Sequence, residues 1–360
     1  MKTRIINSLE GLKTLRDAWV HLEQSAHLPM QEFIWMQACA ENLLSDGQLV
    51  IVVIEDGGET VAVAPLVDRK NKAGLQLLGV HEMHEPTDVI ASSREAAAAL
   101  AKALLDLGGP LMLRRMPSDS LLPVALNDAC RGRGVLVRRP DGGWPGIVLD
   151  SRWAEPESQL NSGRRSDYRR ALRIAGEAGP VSSEIVTPTP ARLGPLLEQA
   201  FAVEAAGWKG ETKTAMTLDP LRGPFYRSYT AAACEKGILR LAFLRIGDEV
   251  AAMQLAVECH GGFWLHKIGF DKKFARSSPG NLLMRETIRY AALRNLKSFE
   301  FLGTIEPWVQ VWTSLERPCV VLRGYPLSVR GVTRLAGDLG TSALGKFHRL
   351  RSSKKSEKPH

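Results

Sequence analysis

The stretch Phe263-Trp264-Leu265-His266-Lys267-Ile268-Gly269-Phe270 carries apolar residues at both parities, the pattern of a strand covered on both faces and central to a sheet. It continues through Asp271-Lys272-Lys273-Phe274-Ala275-Arg276-Ser277-Ser278-Pro279-Gly280 into Asn281-Leu282-Leu283-Met284-Arg285-Glu286-Thr287-Ile288, which starts a helix predicted to run to Asn295. Upstream, Leu239 to Val257 reads as a hairpin turning at Gly247-Asp248, preceded by helices over Ala191 to Ala206 and Phe225 to Lys236. Downstream, Phe299 to Leu302 and the residues near Val320 read as strands. Helices and strands intermixed in this order predict an α/β chain with mixed sheets flanked by helices.

The first part of the chain repeats that order. Helices are predicted at Leu9 to Ala26 and Phe33 to Leu44, a hairpin at Leu49 to Val67 turning at Asp56-Gly57-Gly58, and a strand at Leu75 to Gly79. An irregular stretch follows at His81 to Ile90, a helix at Ser93 to Leu107, a strand near Leu111, a helix over Leu121 to Arg131 and a strand near Val135. Val61 and Val250 are offset by 189 residues, Leu49 and Leu239 by 190, and Ser93 and Asn281 by 188. Leu111 and Phe299 are also 188 apart, while Leu9 and Ala191 are 182 apart. Such a near-constant offset marks an internal duplication. Asp141-Gly142-Gly143-Trp144-Pro145-Gly146 and Glu155-Pro156 punctuate the join. The expected organisation is one unit over 1–150, a second over 151–330 and a basic tail over 331–360.

A chain of 360 residues has length for about two domains and a sizeable core. With 44% apolar and 24% charged residues it falls among ordinary globular proteins. The longest aliphatic run, Leu49 to Ile54, is far short of a membrane span, and the first residues lack the apolar block of a secretory signal. A cytoplasmic location is expected. Cys39, Cys130, Cys234, Cys259 and Cys319 are scattered and form no C-x-x-C pair, so reduced buried thiols are expected rather than zinc. The net charge of +8 is local: Gly163 to Arg173 and Arg349 to His360 carry +4 each.

A loop with Arg276, Ser277, Ser278 and Gly280 that opens onto a helix N-terminus offers backbone N–H groups and a positive dipole end, a suitable seat for a pyrophosphate. The corresponding stretch of the first unit, His81-Glu82-Met83-His84-Glu85-Pro86-Thr87-Asp88, carries three carboxylates that would repel phosphate. A phosphorylated cofactor is therefore expected on the second unit alone. His81 and His84 with Asp88 lack a fourth partner, so no metal is expected there. Gly340 to Lys346 spells a phosphate-loop pattern, but Phe347 replaces the required Ser or Thr and no strand precedes it. Serine-hydrolase, zincin and dinucleotide motifs do not occur.

The order of two helices, hairpin, central strand, phosphate loop, helix and strand resembles the GNAT acyltransferase unit, and two units in tandem resemble its FemAB-like branch. The closer resemblance is to bacterial CelD/BcsL-type acetyltransferases linked to cellulose and exopolysaccharide production. It is carried by Arg165 to Arg173 with Gly179, Glu204-Ala205-Ala206-Gly207-Trp208-Lys209-Gly210 and Lys267-Ile268-Gly269-Phe270-Asp271. Ser278-Pro279-Gly280-Asn281-Leu282-Leu283 and Phe299-Glu300-Phe301-Leu302-Gly303 with Trp308 and Trp312 complete it. The resemblance is densest from about 160 to 325.

That resemblance implies transfer of an acetyl or longer acyl group from acyl-CoA, without a metal, to an amine or hydroxyl of a small-molecule or sugar acceptor. The thioester would lie between Phe263 to Phe270 and Phe299 to Leu302. Ile268, Gly269, Arg276, Ser277, Ser278, Gly280 and Asn281 would bind the cofactor. Glu300, Glu204, Lys267 and Asp271 are the candidates for the chemistry, which needs a proton acceptor and a group to polarise the thioester. Glu300 alternates with Phe299 and Phe301 and so faces away from them, in a setting that suits either a general base or a solvated or salt-bridged strand residue. His266, in a buried strand, reads as a core histidine or a second candidate base. Asp88, Arg165, Arg169, Trp208, Lys209 and Trp308 would contact the acceptor or the outer parts of the donor. Where the family is expected to carry a Lys between two aromatics, this chain reads Trp308-Val309-Gln310-Val311-Trp312.

Tyr168, Leu172 and Ala175 fall on one helix face beside the stacked Arg165, Arg169 and Arg173. That stripe and the basic tail also fit a FemAB-like transferase using aminoacyl-tRNA, the alternative reading of the donor. A non-catalytic binding module of a polysaccharide system is the third reading, suggested by Val309.

Overall fold

The computed structural model describes residues 1–44, 47–69, 74–207, 216 and 219–341. Thirteen strands share one mixed sheet with helices on its faces. In the first half, β1 (Lys2–Ile6), β2 (Gln48–Asp56), β3 (Glu59–Arg69) and β4 (Gly74–Leu77) pair antiparallel in that order, and the short β5 (Ile90–Ala91) also pairs with β3. Beyond β4 lies β6 (Leu111–Pro117), parallel to it and joined at Leu75 and Leu111. In the second half, β8 (Val181–Val186), β9 (Leu239–Ile246), β10 (Glu249–Cys259) and β11 (Gly262–Phe270) pair antiparallel, and β12 (Ser298–Glu300) lies parallel to β11. The two halves thus repeat one strand order, as the sequence offsets predict.

The halves are joined through exchanged strands. β7 (Gly134–Val148) pairs with β13 (Glu316–Pro326) over most of its length and then, at Gly146 to Val148, with β12. The strand near Val320, expected to close the second unit, is instead inserted between β6 and β7 of the first. Its Val320 and Leu322 are buried with Leu113 and Met116, so its apolar face completes the first unit's core. Alternation identifies a strand but carries no information about which sheet receives it.

Local sequence explains most helices. In α5 (Arg94–Asp106), Ser93 Oγ accepts the Ala96 N–H, a cap worth about 1 kcal/mol, and Ala97, Leu100, Ala101 and Leu104 form its buried face. The helix expected over Leu9 to Ala26 divides into α1 (Leu9–Thr14) and α2 (Arg16–Leu22). Thr14 Oγ1 donates to Gly11 O, the natural acceptor for Leu15, whose N–H turns to Leu12 O. Then come α3 (Phe33–Asn42), α4 (Val80–Met83), α6 (Leu121–Ala129), α7 (Ser162–Ala178), α8 (Pro190–Ala205), α9 (Arg222–Glu235) and α10 (Pro279–Leu293). The stretch expected to be irregular from His81 holds α4, flanked by positive φ at Gly79 and His84.

One hydrophobic core is common to both halves. Trp35 of α3 packs edge-on against Phe225 and Tyr229 of α9, each with ring centroids 4.9 Å apart, and stacks on His266 of β11. Three aromatic contacts of this kind, each worth about 1 kcal/mol beyond its buried area, fix the two halves against each other.

Candidate active site

β11 and β12 pair only at Gly262 to Trp264 against Ser298 to Glu300. Beyond these residues the parallel strands diverge, and between them opens a groove of about 590 Å³. Leu265 to Phe270 form one wall and Phe301 to Thr304 the other, while the first turn of α10 and Trp308 lie at its rim. The equivalent divergence of β4 and β6 holds only about 40 Å³, lined by His81 and His84 of α4's surroundings and by Arg114 and Arg115. Of these two equivalent divergences, among the described residues, the one on the second half is by far the roomier.

A bulge in β11 shapes the groove. Leu255 of β10 faces Lys267 and Ala256 faces Leu265, so His266 has no register partner. His266 turns to Trp35 and to Tyr229, whose hydroxyl is 3.5 Å from Nε2. Burial, followed by the neighbouring Lys267, drives its pKa down to about 3, so the ring is neutral and unsuited to act as a base. The adjacent Lys267 lies over the Tyr226 ring at 5.0 Å.

The predicted site residues divide into those that line the groove and those that do not. Lys267, Ile268, Gly269, Ser278, Gly280, Asn281, Glu204 and Trp308 line it. Gly269 is required there: a Cβ would stand 2.8 Å from Glu204 Cα. Glu204 is buried, and its Oε2 accepts the Met216 N–H at 2.9 Å. Glu300 is buried behind the groove, with Trp144 Nε1 donating to Oε2 at 2.9 Å and Arg317 Nη2 donating to Oε1 at 2.9 Å. Its carboxylate thereby links β7, β12 and β13 and does not line the groove, the arrangement of the salt-bridged strand residue that its pattern also allowed. Asp271 caps a 3-10 turn by accepting the Lys273 N–H. Ser277 is buried with its hydroxyl on Phe274 O, and Arg276 is exposed on the same turn outside the groove.

Asp88 also lies away from the groove, accepting from Ser120 Oγ at 2.9 Å and from the Val89 N–H. Arg165 and Arg169 are exposed on α7, which packs through Ala171, Ala175 and Tyr168 beside the 272–277 turn and α10; Arg165 donates to Leu160 O. Trp208, Lys209 and the basic residues 349–360 lie outside the described residues. Val309, in place of the expected Lys, is buried among Phe301, Trp312 and their neighbours.

Two buried polar residues of the groove escaped the sequence reading. Glu85, from the first half, is buried, and its Oε2 accepts the Gly303 N–H at 3.4 Å. Burial pushes its pKa up to about 6, opposed by Arg115, the Gly303 N–H, Lys267 and Arg222. Gln254, on β10, is also buried: its Nε2 donates to Met284 Sδ at 3.6 Å, while its Oε1 has no hydrogen-bond partner. A lone amide within the apolar run Ala251 to Val257 is the signal that would have found it. Glu85 had no such signal, because its partner loop is 218 residues away.

Residues 162–309 match the family model described as the Acetyltransferase (GNAT) domain. No curated protein matches the chain in sequence. Among solved structures it resembles FemX, with a TM-score of 0.57 and 11% identity over 91% of this chain and 98% of that one. The C-terminal domain of a putative lysylphosphatidylglycerol synthetase from Agrobacterium fabrum gives 0.57 and 11%, covering 87% of this chain and 92% of that one. A conserved protein of unknown function from Bacteroides thetaiotaomicron gives 0.55 and 11%, covering 90% and 99%. At such identity the likeness establishes the fold alone. The chain as a whole shares the fold of FemX, and its residues 162–309 are similar to the GNAT acetyltransferase domain.

Proposed function

We propose that the chain transfers an acyl group from acyl-CoA to an amine or hydroxyl, with Glu85 as general base. The observation that carries this reading is the groove of about 590 Å³ on the second half, lined also by an acid of raised pKa from the first. The groove suits the donor: it is largely apolar, and the unpartnered Gln254 Oε1 offers an acceptor for an amide N–H such as those of a pantetheine arm. The first turn of α10, at Ser278 to Asn281, would hold the pyrophosphate. When bound, acyl-CoA supplies a thioester whose carbonyl carbon bonds to the acceptor's nitrogen or oxygen while the carbon–sulfur bond breaks. Glu85 takes the acceptor's proton and can return it to the departing sulfur. Lys267 lends positive charge to the same chamber, and the neutral His266, which contacts Tyr229, lines it.

In this reading residues 1–150 and 151–330 are the two functional units, the first supplying the base and the second the cofactor groove. The motif resemblance to CelD/BcsL-type enzymes supports a sugar or small-molecule acceptor in exopolysaccharide or cell-envelope biosynthesis, in the cytoplasm. The exposed Arg164, Arg169 and Arg170 of α7 favour aminoacyl-tRNA as the second reading of the donor. Thermal melts with coenzyme A and a series of acyl-CoAs decide between them. A ligand at a hundred times its Kd stabilises by about 2.7 kcal/mol, so stabilisation that depends on acyl length supports the proposal. No stabilisation by any of them, together with salt-sensitive tRNA binding, overturns it in favour of the second reading.

A further inference from the structure

After β13 the chain turns at Leu327 and forms a helix over residues 329–341 whose amphipathy is inverted. Its polar side faces the protein: Asp338 accepts from Tyr325 Oη at 2.7 Å and pairs with Arg323 and Arg334, while Arg330 pairs with Asp68 at 3.2 Å. Gly331 lets the helix sit against the Pro326 carbonyl, which a Cβ would approach to 2.1 Å. Its apolar side faces outward. Val329 is 86% exposed, Val332 51% and Leu339 63%, with Ala336 between them and Leu327 at 67% beside the helix start. These residues follow helical spacing, so they form one strip. Asp338 is the only acidic residue of 327–341, and it is turned inward.

The residues that follow supply the complementary clue. Positions 342–360 contain Lys346, Arg349, Arg351, Lys354, Lys355 and Lys358 against Glu357, a net +5 in a chain whose total is +8. Two copies meeting through this strip would bring two such segments together and repel. An apolar strip continued by cationic residues matches an anionic bilayer surface, where apolar insertion and charge attraction act together. Among the described residues no helix is long and apolar enough to cross a membrane, so such an association would be peripheral.

We propose that the helix over 329–341 docks the protein on anionic lipid surfaces. The test is cosedimentation of the full chain with vesicles of phosphatidylcholine alone and of phosphatidylcholine with phosphatidylglycerol, with molar mass measured by light scattering. Capture is expected on the anionic vesicles only, weakened about tenfold or more by raised salt, by the double variant Val332→Asp/Leu339→Asp, and by Lys354→Glu/Lys355→Glu. Val332 and Leu339 do not line the groove, so coenzyme A binding and the melting temperature serve as folding controls for that variant. Capture by neither vesicle, or equal capture of wild type and both variants, overturns the proposal. So does a wild-type dimer that the Val332→Asp/Leu339→Asp change makes monomeric while no vesicle captures either form, because the strip then belongs to a second copy.

Discussion

Glu85 and Gly303 meet across the two halves of the chain, the Gly303 N–H donating to the Glu85 carboxylate at 3.4 Å. Arg115, also from the first half, donates to Gly303 O at 2.8 Å, so the loop that walls the groove is gripped on both its N–H and its carbonyl. Gly303 and Leu302 both have positive φ, a backbone shape that these contacts hold in place. The acid is thereby fixed at the groove while burial raises its affinity for a proton.

If Glu85 is the base, Glu85→Gln lowers kcat by about 10² to 10⁴, the usual worth of a positioned base. The affinity for coenzyme A stays unchanged, because the amide keeps the shape of the acid. In the wild type kcat/KM rises with pH through about 6, as Glu85 loses its proton, and this limb disappears in the variant. Steady-state kinetics across pH, with release of the coenzyme A thiol as the readout, checks both.

Two acids also shape the pH dependence of stability. Glu85 rises from 4.5 to about 6 and Asp88 from 3.8 to about 7, both mainly through burial. For an acid whose folded pKa exceeds its unfolded value, the contribution to stability is full below the unfolded pKa and is lost as pH rises through the folded one. The two groups therefore favour the folded state more at pH 5 than at pH 8. The double variant Glu85→Gln/Asp88→Asn flattens that part of the profile and gains most stability near pH 8, as read from urea midpoints at a series of pH values.

Glu300 behaves as a structural anchor. Arg317→Met leaves its buried carboxylate without its ion-pair partner and costs about 3 kcal/mol, while coenzyme A affinity of the folded fraction is unchanged. Gly146→Ala acts at the same place, because the added Cβ would stand 2.3 Å from Glu300 Oε2. Denaturant unfolding and ligand titration on the same samples separate this outcome from a role in the chemistry, which would lower kcat without lowering stability.

One groove predicts one donor site. Calorimetric titration with acyl-CoA is expected to give one molecule per chain, the first half contributing none because its own divergence is nearly closed. Gly280→Ala tests the turn that would hold the pyrophosphate. A Cβ there meets nothing closer than Phe270 at 3.9 Å, so the melting temperature is unchanged. Affinity falls about tenfold, as expected if a phosphate must approach the backbone closely.

The sequence by itself disclosed most of the elements and their order, but not β1, β8 or α4. The hairpin of Leu239 to Val257 with its turn at Gly247-Asp248, the apolar residues at both parities of Phe263 to Phe270 and the recurring offset near 188 residues disclosed a duplicated α/β unit. The contrast between a loop of Arg, Ser and Gly and a loop of acids led to the expectation that a phosphorylated cofactor binds the second half. These readings rest on periodicity, local charge and turn chemistry, which neighbouring residues express without help from the rest of the fold. Only the tertiary structure decided that β13 crosses into the first half, that Glu300 serves Trp144 and Arg317, and that Glu85 reaches the groove. A carboxylate's role depends on which donors approach it and how much water remains, and those partners come from segments as much as 218 residues away in the chain.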